Sequence, residues 1–384
     1  MIASDRLLAS RGQFPILSTC TYLISNSLGA MPQRARDMLT QYADDWATRG
    51  VEAWDDWLAL VDRVANVIAG IIHAPAGSIM MQPNVSVAES MLISCLDFSG
   101  PRNKIVYSEL EFSTVHYVWQ AQRANGARIE VVKSDDGVSV DTQRVCDAID
   151  EHTIAVPISH VIFRSSYLQD VGPIVAKAHA VGAMVFLDVY QSIGTVPVDV
   201  GKLGVDAAVG GALKWLCGGP GAAFLYVRPD LYERLQPSMV GWFSHKRPFD
   251  FDMSGMDLSD SAWRYAGGTP NPAALYAASS GPEIVAEMGV EAIRKRSTEL
   301  TSYAIEQALA NGLTVNTPLA PAARGGHVTV DFPLAQAVSR ELIRRNFMVD
   351  CRPRAGIRVA PHFYNTHAEV EAVFAEIRSI LDGR

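Results

Sequence analysis

Across the middle of the chain, short apolar and β-branched runs alternate with stretches of helical spacing, and this alternation narrows the choice of fold most. The runs lie at 104–107, 129–132, 154–158, 184–187, 207–209 and 223–227. Each has the length of a single strand, and the helical stretches at 113–125 and 173–181 stop at Gly126 and Gly182. Strand, crossover and strand in this order predict an α/β fold with a mostly parallel, seven-stranded-type sheet between helices. Beyond about Pro282 the pattern changes to a long charged helix over 283–311, an apolar run at 326–331, a helix over 334–346 and a closing helix from Thr366. The expected organisation is therefore an N-terminal arm at 1–45, a large domain at 46–280 and a smaller α+β domain at 281–384. The arm, and an amphipathic helix over 46–72, are expected to pack against the small domain or a second subunit.

Composition excludes several function classes. Apolar residues make up 48% of the 384, charged residues 19%, and the net charge is -8. Neither disorder nor a nucleic-acid-binding surface follows from these values. No run approaches the roughly 18 apolar residues of a membrane span, and the N-terminus has no basic region leading into an apolar core, so the expected location is the cytoplasm. The five cysteines, Cys20, Cys95, Cys146, Cys217 and Cys351, are scattered and unpaired in spacing, which points to reduced thiols rather than a disulfide framework or a metal site.

Chemistry concentrates in two places along the sheet. Asp188 ends the run Ala183-Met184-Val185-Phe186-Leu187, so it is expected at the C-terminal edge of a strand, where open α/β sheets bind ligands. Lys214 stands between the next apolar segment and the turn Cys217-Gly218-Gly219-Pro220-Gly221. A lysine amine able to form a Schiff base, followed by glycines and preceded by a strand-end carboxylate, is what pyridoxal 5'-phosphate requires. The carboxylate keeps the pyridine nitrogen protonated, and a desolvated amine has a lowered pKa. Ser86, just after Asn84 and before a helical run, is the candidate phosphate donor, Thr269 in Gly267-Gly268-Thr269-Pro270 is a second, and Phe112 is a candidate ring stacker. No glycine-rich dinucleotide fingerprint or phosphate loop competes with this reading.

These residues, in this order, resemble the fold-type I pyridoxal phosphate enzymes of the class V aminotransferase group, and its kynureninase-like branch in particular. The motifs that carry the resemblance are Asn26-Ser27-Leu28-Gly29, Ser159-His160-Val161, Asp188 with Ser192 and Val196-Pro197-Val198-Asp199, Lys214 to Gly221, and Gly241-Trp242-Phe243-Ser244-His245. The resemblance implies Lys214 and Asp188 as catalytic residues, and Ser86, Gln191, Trp242 and Thr269 as further cofactor contacts, beside the candidate ring stacker Phe112. Trp242 and Thr269 would reach the phosphate partly from the neighbouring subunit of a homodimer. It implies Arg358, in Gly356-Ile357-Arg358-Val359, as the clamp on the substrate α-carboxylate, with Asn26, Ser27 and Trp54 also near an amino-acid substrate.

Two positions depart from kynureninases, which carry tyrosine where Leu213 stands and an aspartate near the ring face at the place of Val115. The tail, from Val349-Asp350-Cys351-Arg352-Pro353 to Thr366, is closer to isopenicillin-epimerase-like members of the group. The implied reaction is hydrolytic Cβ–Cγ cleavage or β-elimination; cysteine desulfuration, C–S lysis, epimerisation and transamination share its early steps and remain open. Cys351 invites a desulfurase reading, but it precedes Arg352 instead of following the arginine motif of desulfurases, which favours a structural cysteine.

Overall fold

The computed structural model describes residues 3–383. Among these, seven strands form the central sheet: β1 (Ile79–Gln82), β2 (Lys104–Ser108), β3 (Arg128–Val132), β4 (Thr153–Ser159), β5 (Met184–Asp188), β6 (Ala207–Gly211) and β7 (Ala223–Val227). Their order across the sheet is β1-β7-β6-β5-β4-β2-β3. Strands β2 to β6 run parallel, and β7 is antiparallel to both β6 and β1. Every residue of β5, β6 and β7 is buried, as expected of strands covered on both faces.

The helices that matter for the site are α1 (Gln33–Arg49), α2 (Trp54–Ile71), α3 (Val85–Ile93), α4 (Ser113–Gln120), α5 (Gly172–Ala180), α6 (Pro272–Met288) and α7 (Val290–Ala310). All six strands expected from the sequence form, whereas β1 carries Ile79-Met80-Met81-Gln82 with no alternation to announce it.

Two expected helices are corrected. The stretch 46–72 is divided between α1 and α2 by a 3-10 turn at Gly50–Ala53, where Gly50 takes a positive φ of 55°. The stretch 283–311 is divided at Gly289, whose φ of 81° no helical residue adopts. Helix α6, from Pro272 to Met288, spans residue 280.

A second sheet, β8 (Thr314–Val315), β9 (Val328–Asp331), β10 (Asp350–Arg352) and β11 (Gly356–Val359), has the antiparallel order β10-β11-β9-β8. It shares a separate apolar core with α7, α8 (Ala335–Arg344) and α9 (His367–Asp382), built on Leu300, Val328, Leu342, Ile357 and Phe374. Thr366 and Glu369 start α9 with a reciprocal capping box. Near the N-terminus, Thr21–Tyr22 pairs in parallel with Phe347–Met348, and Ile24 bridges Ala360, so this segment joins the small sheet to the lysine turn.

Candidate active site

Parallel strands expose their last backbone groups and side chains along one edge of the sheet, and the turns that follow them enclose a cavity there. Its volume is about 210 Å3, and its wall includes Ser86, Phe112, Asp188, Gln191 and Lys214, five of the residues singled out from the sequence.

Asp188 is the last residue of β5, in register with Ser159 at the end of β4. Its Oδ1 accepts the Tyr190 N–H at 2.7 Å. Burial pushes its pKa up, opposed by that N–H and by the charge of Lys214. A cation against this carboxylate would reverse the shift, and a protonated pyridine nitrogen supplies one.

Lys214 follows β6 by three residues. Its position depends on a tight return: Gly218 N–H donates to the Ala212 carbonyl at 2.7 Å, and Gly219 and Gly221 take φ values of 71° and 93°. From behind, Gly29 donates to the Leu213 carbonyl at 2.9 Å. A Cβ on Gly29 would lie 2.1 Å from the Lys214 carbonyl oxygen, and one on Gly281 of α6 would lie 2.1 Å from that of Leu216. The lysine turn is thus held between two backbones that approach closer than any side chain permits. The Lys214 Nζ sits 4.4 Å from the Tyr190 ring centroid and 5.5 Å from that of Phe112. Burial lowers its pKa to about 8, against the opposing pull of Asp188. A substantial neutral fraction near physiological pH makes the amine a nucleophile.

At the other end of the cavity two helices begin. Asn84 caps α3 by accepting the Val87 N–H at 3.0 Å, and Ser86 lies in the first turn. Thr114 lies in the first turn of α4, its Oγ1 3.2 Å from the Ser86 Oγ, and both line the cavity. Two helix starts and two hydroxyls form a cradle suited to a dianion. Phe112, 41% exposed, packs edge-on against Phe163 at 5.1 Å and covers the same space. An amine, an acid, a flat ring and an anion cradle around one cavity fit pyridoxal 5'-phosphate. When bound, that group supplies an electron sink for the substrate Cα.

Two further buried carboxyls lie near Asp188. Burial pushes Glu89 up to about 8 and Glu111 up to about 7, and the Asp188 charge adds to both. The indole of Trp119 donates to Glu89 at 2.5 Å, while Glu111 accepts Ser108 Oγ and the Ser159 N–H, each at 2.8 Å.

Sequence reasoning missed Thr114, Tyr190 and Phe163, and placed Ser159 only within a motif of the resemblance. Only Thr114 had a signal, a hydroxyl two residues after Phe112 at a second helix start. Gln191 lines the cavity, but its amide is committed: Nε2 donates to the Asn26 carbonyl at 2.9 Å and Oε1 accepts the Trp215 indole at 3.2 Å. Val115 is 1% exposed in the core and does not line the cavity, contrary to its expected place near the ring face.

Other expected residues lie elsewhere within this chain. Asn26 is fully buried behind the lysine turn, and neither it nor Ser27 is part of the cavity wall. Trp54 packs with Trp57, Trp242 and Phe243, at centroid distances of 6.0, 6.2 and 6.3 Å. Thr269 is exposed and lines a different cavity, of about 360 Å3, with Gln82, Met239 and Gly268. Neither Trp242 nor Thr269 lines the Lys214 cavity of its own chain, because the segment 241–269 folds over the β1 side of the sheet.

The cradle yields a prediction. Ser86→Ala combined with Thr114→Val removes two donors to a charged group, and the cofactor dissociation constant is expected to rise by about 10- to 100-fold with the fold intact. Fluorescence titration of the cofactor-free protein reads it; unchanged affinity would place the phosphate elsewhere.

The fold and cavity together define an α/β enzyme that works through pyridoxal phosphate held on a lysine. The chain belongs to the aminotransferase class-V family, whose model matches residues 21–373. It is 32% identical over 372 residues to the uncharacterized aminotransferase YcbU of Bacillus subtilis, covering 96% of each chain. It is 30% identical to the kynureninase of Pseudomonas fluorescens, covering 99% of this chain and 94% of that one. In fold it is similar to the cysteine desulfurase of Thermococcus onnurineus, with a TM-score of 0.87, 20% identity and 98% of each chain covered.

Proposed function

We propose that this enzyme acts on an amino acid with kynureninase-like chemistry, hydrolysing a Cβ–Cγ bond or eliminating a group from Cβ. The observation that carries the reading is Lys214, part neutral near pH 8, set between Tyr190 and Phe112 with Asp188 in the same wall. An amine so placed can take the proton from the substrate Cα and return it. In the hydrolytic case water adds to a γ-carbonyl, the Cβ–Cγ bond breaks with its electron pair passing to Cβ, and Cβ is protonated. The products are a carboxylic acid and alanine. Similarity to kynureninases over nearly the full length of both chains supports this branch. Tyr190, whose phenol burial keeps protonated, offers a proton donor in the wall where Leu213 lacks one.

In this reading Lys214 carries the cofactor, Asp188 pairs with its ring nitrogen, Ser86 and Thr114 take its phosphate, Phe112 covers its ring, and Arg358 receives the substrate carboxylate. The chain pairs with a second copy, from which Trp242 and Thr269 complete the phosphate site. Exposed Leu28, Met31 and Leu39 around an apolar cavity of about 530 Å3 support self-association. Among the described residues no helix is long and apolar enough to cross a membrane, in keeping with a cytoplasmic enzyme.

Desulfuration through a persulfide is disfavoured by Cys351. It is the middle residue of β10, packs against the small-domain core, and burial raises its pKa. Asp350 and Arg352, its neighbours along the strand, point to the opposite face.

The test is an assay of the cofactor-loaded enzyme with L-kynurenine, 3-hydroxykynurenine, L-cysteine and L-alanine. Anthranilate or its hydroxylated form, released with alanine, is the expected result. Sulfide with a keto acid from L-cysteine would select elimination at Cβ over Cβ–Cγ hydrolysis, whereas a keto acid from L-alanine, with neither anthranilate nor sulfide formed, would overturn the proposal in favour of transamination.

A further inference from the structure

Arg358 does not stand alone. It is 2% exposed, and its position on β11 is in register with Asp350 on β10, so the two side chains share a face. Its Nε donates to Asp350 Oδ1 at 2.7 Å and its Nη2 to Oδ2 at 2.5 Å, a two-point grip along one side of the guanidinium. Its Nη1 donates to the Phe163 carbonyl at 2.8 Å, and Phe163 belongs to the wall of the Lys214 cavity. A guanidinium has five N–H donors. Three are engaged here, which leaves one on each terminal nitrogen, the pair that a carboxylate takes end-on. Asp350 Oδ2 also lies 2.9 Å from Nη2 of Arg352, a partly exposed side chain.

We propose that Asp350 is a positioning residue for recognition of the substrate α-carboxylate. It fixes the plane of Arg358 from the side, so that with Phe163 holding the other flank the two free donors meet the carboxylate beside Lys214. This rests on the reading of Arg358 given above. The grip also sets the charge. Arg358 and Arg352 carry two positive charges and Asp350 one negative, so the trio presents a net +1, which one carboxylate neutralises. A buried arginine without such a partner would be costly to keep charged, and free rotation about its last bonds would spread its donors over many directions. Buried pairs of this kind add little to stability, so the cross-strand register points to a role in geometry.

The experiment compares L-alanine with ethylamine, which lacks only the carboxylate, by absorbance titration of the cofactor-loaded enzyme. Asp350→Asn is expected to weaken L-alanine binding by about 10- to 100-fold and to leave ethylamine within about twofold. Asp350→Glu, which keeps the charge and displaces it by one methylene, is expected to show a smaller loss of the same selectivity. Arg358→Leu is the reference. If it abolishes the preference for L-alanine while Asp350→Asn and Asp350→Glu leave that preference unchanged, Arg358 binds the carboxylate unaided and Asp350 does not position it. If Asp350→Asn tightens L-alanine binding, Asp350 is a competitor for Arg358, and the proposal fails equally. If Arg358→Leu affects both ligands alike, the reading of Arg358 itself falls and takes the proposal with it. Should Asp350→Asn fail to load cofactor, the Asp350→Glu protein decides by the same comparison.

Discussion

Lys214→Ala is expected to fold, to bind pyridoxal phosphate without a covalent link, and to lose activity by a factor of about 10^4. The fold should survive because the backbone turn is held by Gly29, Gly218 and Gly281, none of which touches the lysine amine. Removing a charge whose burial lowers its pKa to about 8 does not cost stability. The loss falls on chemistry, since in the proposed mechanism the same amine forms the covalent bond and moves the Cα proton. Activity within tenfold of the parent enzyme would show that another base does this work. The rate of covalent cofactor capture by the parent enzyme should rise with pH and level off with a midpoint near 8, because the neutral amine is the nucleophile and its fraction grows as the proton leaves.

Asp188→Asn is expected to lower kcat by about 10^2- to 10^3-fold while the protein stays folded. Asparagine keeps the shape, and its carbonyl can still accept the Tyr190 N–H, but it carries no charge to hold a proton on the pyridine nitrogen. The same change removes the one nearby charge in the large domain that opposes the burial effect on Lys214, so the midpoint of the capture profile should move below its parent value. A profile that stays in place, with kcat unchanged, would separate Asp188 from both roles.

What could be read from the sequence, and what could not, follows from how each residue is placed. Asp188 and Lys214 sit where a strand ends and a turn begins, and both signals are local: an apolar run closed by a carboxylate, and a lysine ahead of four residues that include three glycines. Ser86 and Phe112 share this property through the helix starts beside them. Thr114 shares it too, at the second helix start, but Tyr190 does not, because a ring without a pattern gains meaning only when the sheet brings its neighbours together. The link between Asp350 and Arg358 is invisible along the chain for the same reason. Eight positions apart, they meet only because β10 and β11 pair in that register. The helix breaks at Gly50 and Gly289 were overlooked because single glycines are tolerated inside helical patterns, and only their φ values show that they end them. Strand β1 lacks β-branched alternation, and its pairing with β7 decides its conformation.

The central claim is that Lys214 holds the cofactor. It is tested most directly by loading the purified protein with pyridoxal phosphate, reducing the complex with borohydride and mapping the modified peptide by mass spectrometry. A single pyridoxyl group on Lys214, absent from the Lys214→Ala protein, is the predicted result. Stoichiometric label on another lysine, or no retained label at all, would contradict it.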